Sequence, residues 1–300
     1  MVSATLHRRH SSACRRSRPD WVWPSSWSRT SRPASVCPRS KSSAPVTASR
    51  AARAGRTAHV YVPTGTSPAR LAGLRREGAS IVETGVGYDE AVRLMADDAA
   101  QAGWTIVSDT GWDGYETIPR WIMAGYTWIL DEAASAWGPS PPDVVVVQAG
   151  VGSFAGAVAG WLDLTYGPER PRLVVVEAHG SACVAASLAA GRRVTLEEVA
   201  PTTMAGLCCG EVSQTAWPAL AGCVDACVTV SDADAADAVR RLGQATGGDP
   251  IVAAGPSGAA GVAGLVVLVA DPTLASTRAA LGLTRTARVL VFNTEGPIDR

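Results

Sequence analysis

One lysine, two phenylalanines and no net charge are the conspicuous shortages of this 300-residue sequence. A balance of 27 basic and 27 acidic residues leaves no global field to recruit nucleic acid or acidic lipid. The apolar stretches are broken by glycine or polar residues, and none reaches the ~20 residues a membrane helix needs. No secretory apolar segment precedes the seven cysteines, an odd number, so the expected setting is a cytoplasm with reduced thiols. Chemistry that requires a lysine amine has one candidate, Lys41 in PRSKSSAP, and nothing apolar around it would lower its pKa. What the chain does have is a 47% apolar fraction rich in alanine, glycine and valine, with ten tryptophans, which is ample for a packed core.

Two compositions share the chain. In residues 1–50, Arg8, Arg9, Arg15, Arg16, Arg18, Arg29, Arg32, Arg39, Lys41 and Arg50 face the single acid Asp20. Serine and proline fill the gaps, and neither a helical nor a strand period survives. A disordered basic arm fits, as does an organelle transit peptide. The preferred reading is an out-of-frame or wrongly started translation of a GC-rich gene, which yields arginine, serine and proline with stray tryptophan and cysteine. From about Ala51 the pattern becomes regular. AHVYVP, SIVETG and WTIVSD read as strands, and SPARLAGLRREGA and YDEAVRLMADDAAQAGW as helices. Ser67 would cap the first helix with Pro68 at its first position. IPRWIMAGYTWILDEAASAW reads as a long amphipathic helix. Then PDVVVVQAG, RLVVVEA, DACVTVSD and RVLVFNTEG read as buried parallel strands with helices between them. This alternation predicts an α/β fold with open parallel sheets in two lobes. GPSPP, Gly138 to Pro142, divides a small lobe (51–138) from a larger one (139–300).

Four segments could carry chemistry. QAGVGSFAG follows a buried strand and opens a helix, so its N–H groups and dipole can hold a phosphate. Gly150, Gly152 and Ala155 also fit a loose dinucleotide pattern, with Glu177 about twenty residues on, and spacing alone leaves that reading open. A tight turn without ligand is the third possibility. SDTGWDGYETIPRWIMAGY places Asp109 at the end of a strand, where side chains face the crevice, although a helix cap would explain it too. TTMAGLCCGE could line a pocket. Its Cys208 and Cys209, with Cys223 and Cys227, lack the spacing of paired zinc ligands, so no metal is expected. In FNTEG, Thr294 could hydrogen-bond a ligand from the end of the last strand.

In order, HVYVPTGTSPAR, the YDEAVR helix, SDTGWDGYETIPRWIMAGY, QAGVGSFAGAVAG, TTMAGLCCGE, the SGAAG at Ser257 and NTEG resemble the diaminopropionate ammonia-lyases, from about Gly55 to the C-terminus. These are pyridoxal-phosphate (PLP) enzymes of fold type II, the tryptophan synthase β superfamily. The resemblance implies PLP between two α/β lobes, the first incomplete here. It implies α,β-elimination of 2,3-diaminopropionate to pyruvate and ammonia, and a homodimer without nucleic-acid or membrane partners. It further implies that Gly150, Val151, Gly152 and Ser153 cradle the phosphate, that Asp109 moves protons, and that Thr294 lies near the pyridine nitrogen. Thr203, Met204, Ala205 and Gly206 would line the substrate pocket. The family's S-F-K segment, with its Schiff-base lysine, and its D-G-N-H-G segment are not found here; TASRAARA stands just before GRTAHV. Pro256 stands where a glutamate is expected. Little native activity is therefore expected of this exact chain. A serine/threonine dehydratase-like lyase, a non-catalytic PLP-binding protein and an NAD(P) oxidoreductase are the other readings.

Overall fold

A computed structural model describes residues 4–6, 49–51, 53–138, 140–244 and 248–297. Lys41 and nearly all of the Arg/Ser/Pro-rich segment lie outside the described residues. Within that segment, where no regular element is expected, β1 (Ala4–Leu6) pairs antiparallel with Ala226–Val228 at one edge of the main sheet.

The first lobe is built on a parallel pair, β2 (Ala58–Val62) and β3 (Ala79–Glu83), joined through α1 (Pro68–Arg76). The sequence fixes the start of α1 as expected: the Ser67 hydroxyl accepts from the Arg70 N–H at 3.4 Å, and Pro68 begins the helix. Leu71 and Leu74 pack with Val62 in a small core. The helices α2 (Tyr88–Ala102) and α3 (Thr117–Ala136) follow. Trp104–Asp109, expected as a third strand, belongs to no strand among the described residues. A β-rich composition makes a strand only where a neighbour takes the backbone hydrogen bonds, and here the β2–β3 sheet offers no partner to it.

The second lobe carries the main sheet, in the order β1-β6-β5-β4-β7. Its parallel strands are β4 (Val144–Gln148), β5 (Arg172–Ala178), β6 (Ala226–Val230) and β7 (Val289–Val291). The valine runs are buried on both faces because alternate residues serve alternate cores. Val145, Val147, Leu173 and Val175 pack with α4 (Ser153–Tyr166) and α6 (Trp217–Cys223). Val144, Val146, Val174 and Val176 pack with α7 (Asp232–Leu242) and α8 (Pro256–Ala270). Each such side chain contributes roughly 1.5–3 kcal/mol as an upper estimate. The abundance of glycine and alanine in α8 is a packing requirement: a Cβ on Gly264 would overlap the Val176 side chain. Two short helices, α5 (Cys183–Ala190) and α9 (Ala275–Leu281), complete the lobe.

Arg288 donates to the carbonyl oxygens of Trp137 and Ser140 at 2.7 Å each. The preceding α3 contributes Leu130, fully buried, to the core of the second lobe. Polar contacts elsewhere also join the lobes. Arg70 pairs with Glu295, Arg93 with Glu211, and the Asp89 carboxylate accepts from the Gly210 N–H at 2.7 Å. Among the described residues no single helix is long and apolar enough to cross a membrane.

Candidate active site

The chemistry-bearing segments converge at the carboxyl ends of β4, β5 and β7, where parallel strands release their chain into loops. After β4 the backbone turns through Gly150 and Gly152 into α4. Gly152 has φ +88°, and a Cβ there would sit 2.7 Å from Leu220 Cδ1, so only glycine is accommodated. A Cβ on Gly150 would lie 2.9 Å from the Gly206 carbonyl oxygen and 3.1 Å from Cys209 Sγ. The phosphate-type loop is thus pressed against the Thr202–Glu211 segment. No side chain caps α4, so the N–H groups of its first turn have no N-cap side chain as partner.

Ser153 is buried, and its hydroxyl donates to the Asp109 carbonyl oxygen at 2.6 Å. Its donor capacity is therefore used to bind two loops together, and an anion at this turn would rest on backbone N–H groups. The lacing continues. Ser213 N–H donates to the Val151 carbonyl at 2.8 Å, and Ser213 Oγ accepts from the Gly111 N–H at 2.8 Å. Asp109, expected at the end of a strand, sits at a bend in a segment that pairs with no strand. Its carboxylate accepts from the Tyr126 hydroxyl at 3.1 Å. Burial raises the Asp109 pKa above its ordinary value, and the Tyr126 bond acts in the opposite direction. That combination suits a group that exchanges a proton.

On the opposite side, the buried Gln148 donates through Nε2 to Thr294 Oγ1 at 2.8 Å. Because Thr294 accepts here, its own hydroxyl hydrogen is free to donate to a ligand. Gln148 Oε1 is buried without a partner. In the Thr202–Glu211 segment, Thr203, Ala205 and Gly206 are exposed, whereas Met204 is fully buried in the core beneath them. Gly206 N–H donates to Ser257 Oγ at 3.1 Å. Pro256 opens α8, and Glu295 supplies the carboxylate that accepts from the Ser257 N–H at 2.8 Å.

Glu177 stands at the right spacing for the ribose-binding acid of a dinucleotide site, but both its carboxylate oxygens are occupied. They accept from the Val184 and Ala185 N–H groups at 2.8 Å each, so the residue caps α5 from a fully buried position. Burial pushes its pKa up to about 8. The dinucleotide reading loses its acid. Tyr126 escapes sequence reasoning because its partner is 17 residues away; the signal available was a polar hydroxyl on the face of α3 that also carries Leu130.

These residues fit a phosphate-bearing aromatic ring. Past the end of β4 stand an uncapped helix start and a glycine turn with no room for a side chain, and past the end of β7, which pairs with β4, stands a hydroxyl with a hydrogen to donate. A covalent lysine anchor is not found at the crevice among the described residues.

The family described as pyridoxal-phosphate dependent enzyme matches residues 31–284. Diaminopropionate ammonia-lyase of Escherichia coli (strain K12) is 37% identical over 247 residues, covering 82% of this chain and 62% of that protein. The human serine dehydratase-like protein is 29% identical over 205 residues, covering 67% of this chain and 58% of its own. Among solved structures, E. coli diaminopropionate ammonia-lyase in complex with an aminoacrylate-PLP azomethine reaction intermediate superposes with a TM-score of 0.80 at 36% identity, covering 87% of this chain and 67% of the other. The chain thus spans about 62% of the length of the E. coli protein it matches.

Proposed function

This chain belongs to the pyridoxal-phosphate dependent enzymes, and from that premise we propose that its site is that of an ammonia-lyase acting on a small diamino acid such as 2,3-diaminopropionate. The observation that carries the reading is the Ser153–Asp109 hydrogen bond, which ties the backbone of Asp109 to the start of α4. Gly150, Val151, Gly152 and Ser153 would hold the phosphate through the start of α4. Thr294, oriented by Gln148, would donate to the ring nitrogen. Thr203, Ala205 and Gly206, which are exposed, would line the substrate pocket. When bound, PLP supplies an electron sink for charge developing at the substrate Cα. Asp109 is the group that takes or returns a proton there, and its raised pKa brings the exchange nearer neutrality. The same reading carries a homodimer, for which Trp121 and Trp128, 65% and 55% exposed on one face of α3, offer apolar surface.

The one lysine of the chain is Lys41. For that reason we further propose that this exact chain binds the cofactor without a covalent lysine link and turns over little. Acid–base groups alone contribute ~10²–10⁴-fold. A non-catalytic PLP-binding role is the second reading, and the missing lysine is what favours it. The test adds PLP and 2,3-diaminopropionate to the purified chain and measures bound PLP and released pyruvate. Saturable binding with negligible pyruvate is expected. Pyruvate released at enzyme-like rates, about 1 s⁻¹ or faster, would refute the loss of activity. No PLP binding would refute the site.

A further inference from the structure

We infer that Tyr126 is a positioning residue that aims and holds the Asp109 carboxylate, an inference that rests on the reading of Asp109 as the proton-handling group. Three observations carry it. The first is commitment of the neighbouring hydroxyls. The titratable groups near enough to feel the charge of Asp109 include Tyr88, Tyr115, Tyr126 and Cys209. Tyr88 shares its hydroxyl with Thr110 at 3.0 Å. Tyr115 bonds the backbone of Ile106 and Ser108. Tyr126 is the side chain whose hydroxyl reaches the carboxylate, at 3.1 Å.

The second observation is that the direction of the Tyr126 hydroxyl is fixed by its ring. Tyr126 meets Phe154 edge-on, with centroids 5.6 Å apart at 82°. Phe154 in turn meets Phe292 edge-on at 5.2 Å and 84°. These are the only two phenylalanines in the sequence. Edge-to-face packing of three rings sets their orientation and limits rotation.

The third is that Asp109 is gripped at both ends by adjoining residues of one helix start. Ser153 holds its carbonyl, and the next residue, Phe154, braces the tyrosine that holds its carboxylate. A ligand that settles on the α4 start therefore meets an acid whose backbone and side chain are already placed. The tyrosine hydrogen bond favours the charged carboxylate and opposes the effect of burial.

The experiment is a pH titration of the full chain labelled with [¹³C]carboxyl aspartate, with the Asp109 resonance identified by its loss in Asp109→Asn. Tyr126→Phe keeps the ring and its contact with Phe154 but removes the donor. The Asp109 midpoint should rise by about one pH unit, a tenfold gain in proton affinity. A second variant, Phe154→Leu, leaves the phenol but removes its brace, and should raise the midpoint by less. That variant keeps the inference testable if Tyr126→Phe does not fold. An unmoved midpoint in folded Tyr126→Phe, or in Phe154→Leu where the first variant is unfolded, overturns the inference. A parallel arm follows PLP-dependent exchange of the Cα hydrogen of 2,3-diaminopropionate. If Asp109→Asn leaves that exchange unchanged, the acid–base reading of Asp109 fails, and with it the functional meaning of a shifted midpoint.

Discussion

Replacing Gly150 by alanine tests whether the crevice is built by close backbone approach. The added Cβ would lie 2.9 Å from the Gly206 carbonyl oxygen, 3.1 Å from Cys209 Sγ and 3.3 Å from Leu207 Cα. Ordinary contact begins near 3.4 Å, so the Thr202–Glu211 segment must retreat. Its backbone is not free to do so. Leu207 O accepts from Ser181 Oγ at 2.9 Å, and the Gly206 N–H is tied to Ser257 Oγ. Overpacking at such a site costs ~1–3 kcal/mol, and each hydrogen bond lost adds ~0.5–1.5 kcal/mol. For a chain of this size the overpacking alone corresponds to a fall in Tm of about 2–12 °C, at ~2–4 °C per kcal/mol. Displacement of the turn should also weaken PLP binding at least tenfold, about 1.4 kcal/mol. Melting with and without PLP, together with equilibrium dialysis, reads both effects. Gly222→Ala on α6 is the control: nothing lies within 4 Å of its Cβ, and it should match the parent or gain slightly. Gly150→Ala with the parent's Tm and affinity would refute the reasoning.

Two further outcomes follow from buried charge. Glu177 has a folded pKa of about 8, above the ~4.3 of an exposed glutamate, so the folded state binds more protons between those values. Its contribution to stability is complete below about pH 4 and is lost as pH rises through 8, by a few kcal/mol in all; urea melts from pH 5 to 9 should show that decline and a flatter profile in Glu177→Gln, whereas an unaltered slope would contradict it. Arg170 pairs with Asp225 at 2.8 Å with side chains 1% and 8% exposed, so Asp225→Ala strands a buried guanidinium and should cost ~3–5 kcal/mol in urea unfolding. Breaking the exposed Arg75–Glu83 pair with Glu83→Ala should cost ~0–1 kcal/mol, and similar losses for both variants would contradict the burial argument.

Much of the fold was legible because burial leaves a periodic trace. Val144 to Val147 reads as a strand buried on both faces, and alternate valines do serve opposite cores. Ser67 and Pro68 mark the start of α1 through local chemistry alone. The failures are non-local. Trp104–Asp109 has strand composition, but whether a partner lies alongside is decided by the rest of the lobe. Glu177 has the spacing of a ribose ligand, yet its oxygens are taken by the start of α5, which no spacing rule contains. Ser153 and Asp109 each stand out within their own motif, but their hydrogen bond spans 44 positions and is not written in either. Met204 was grouped with exposed neighbours because a one-dimensional motif does not show which residue turns inward.

The central claim is that this chain keeps a PLP-shaped crevice without a covalent lysine. Borohydride reduction of the PLP-saturated chain, followed by peptide mapping of the pyridoxyl label, tests it most directly. The account predicts reversible PLP retention that depends on Gly150 and no labelled peptide. A stoichiometric label on Lys41 would contradict it and would make the Arg/Ser/Pro-rich segment part of the active site.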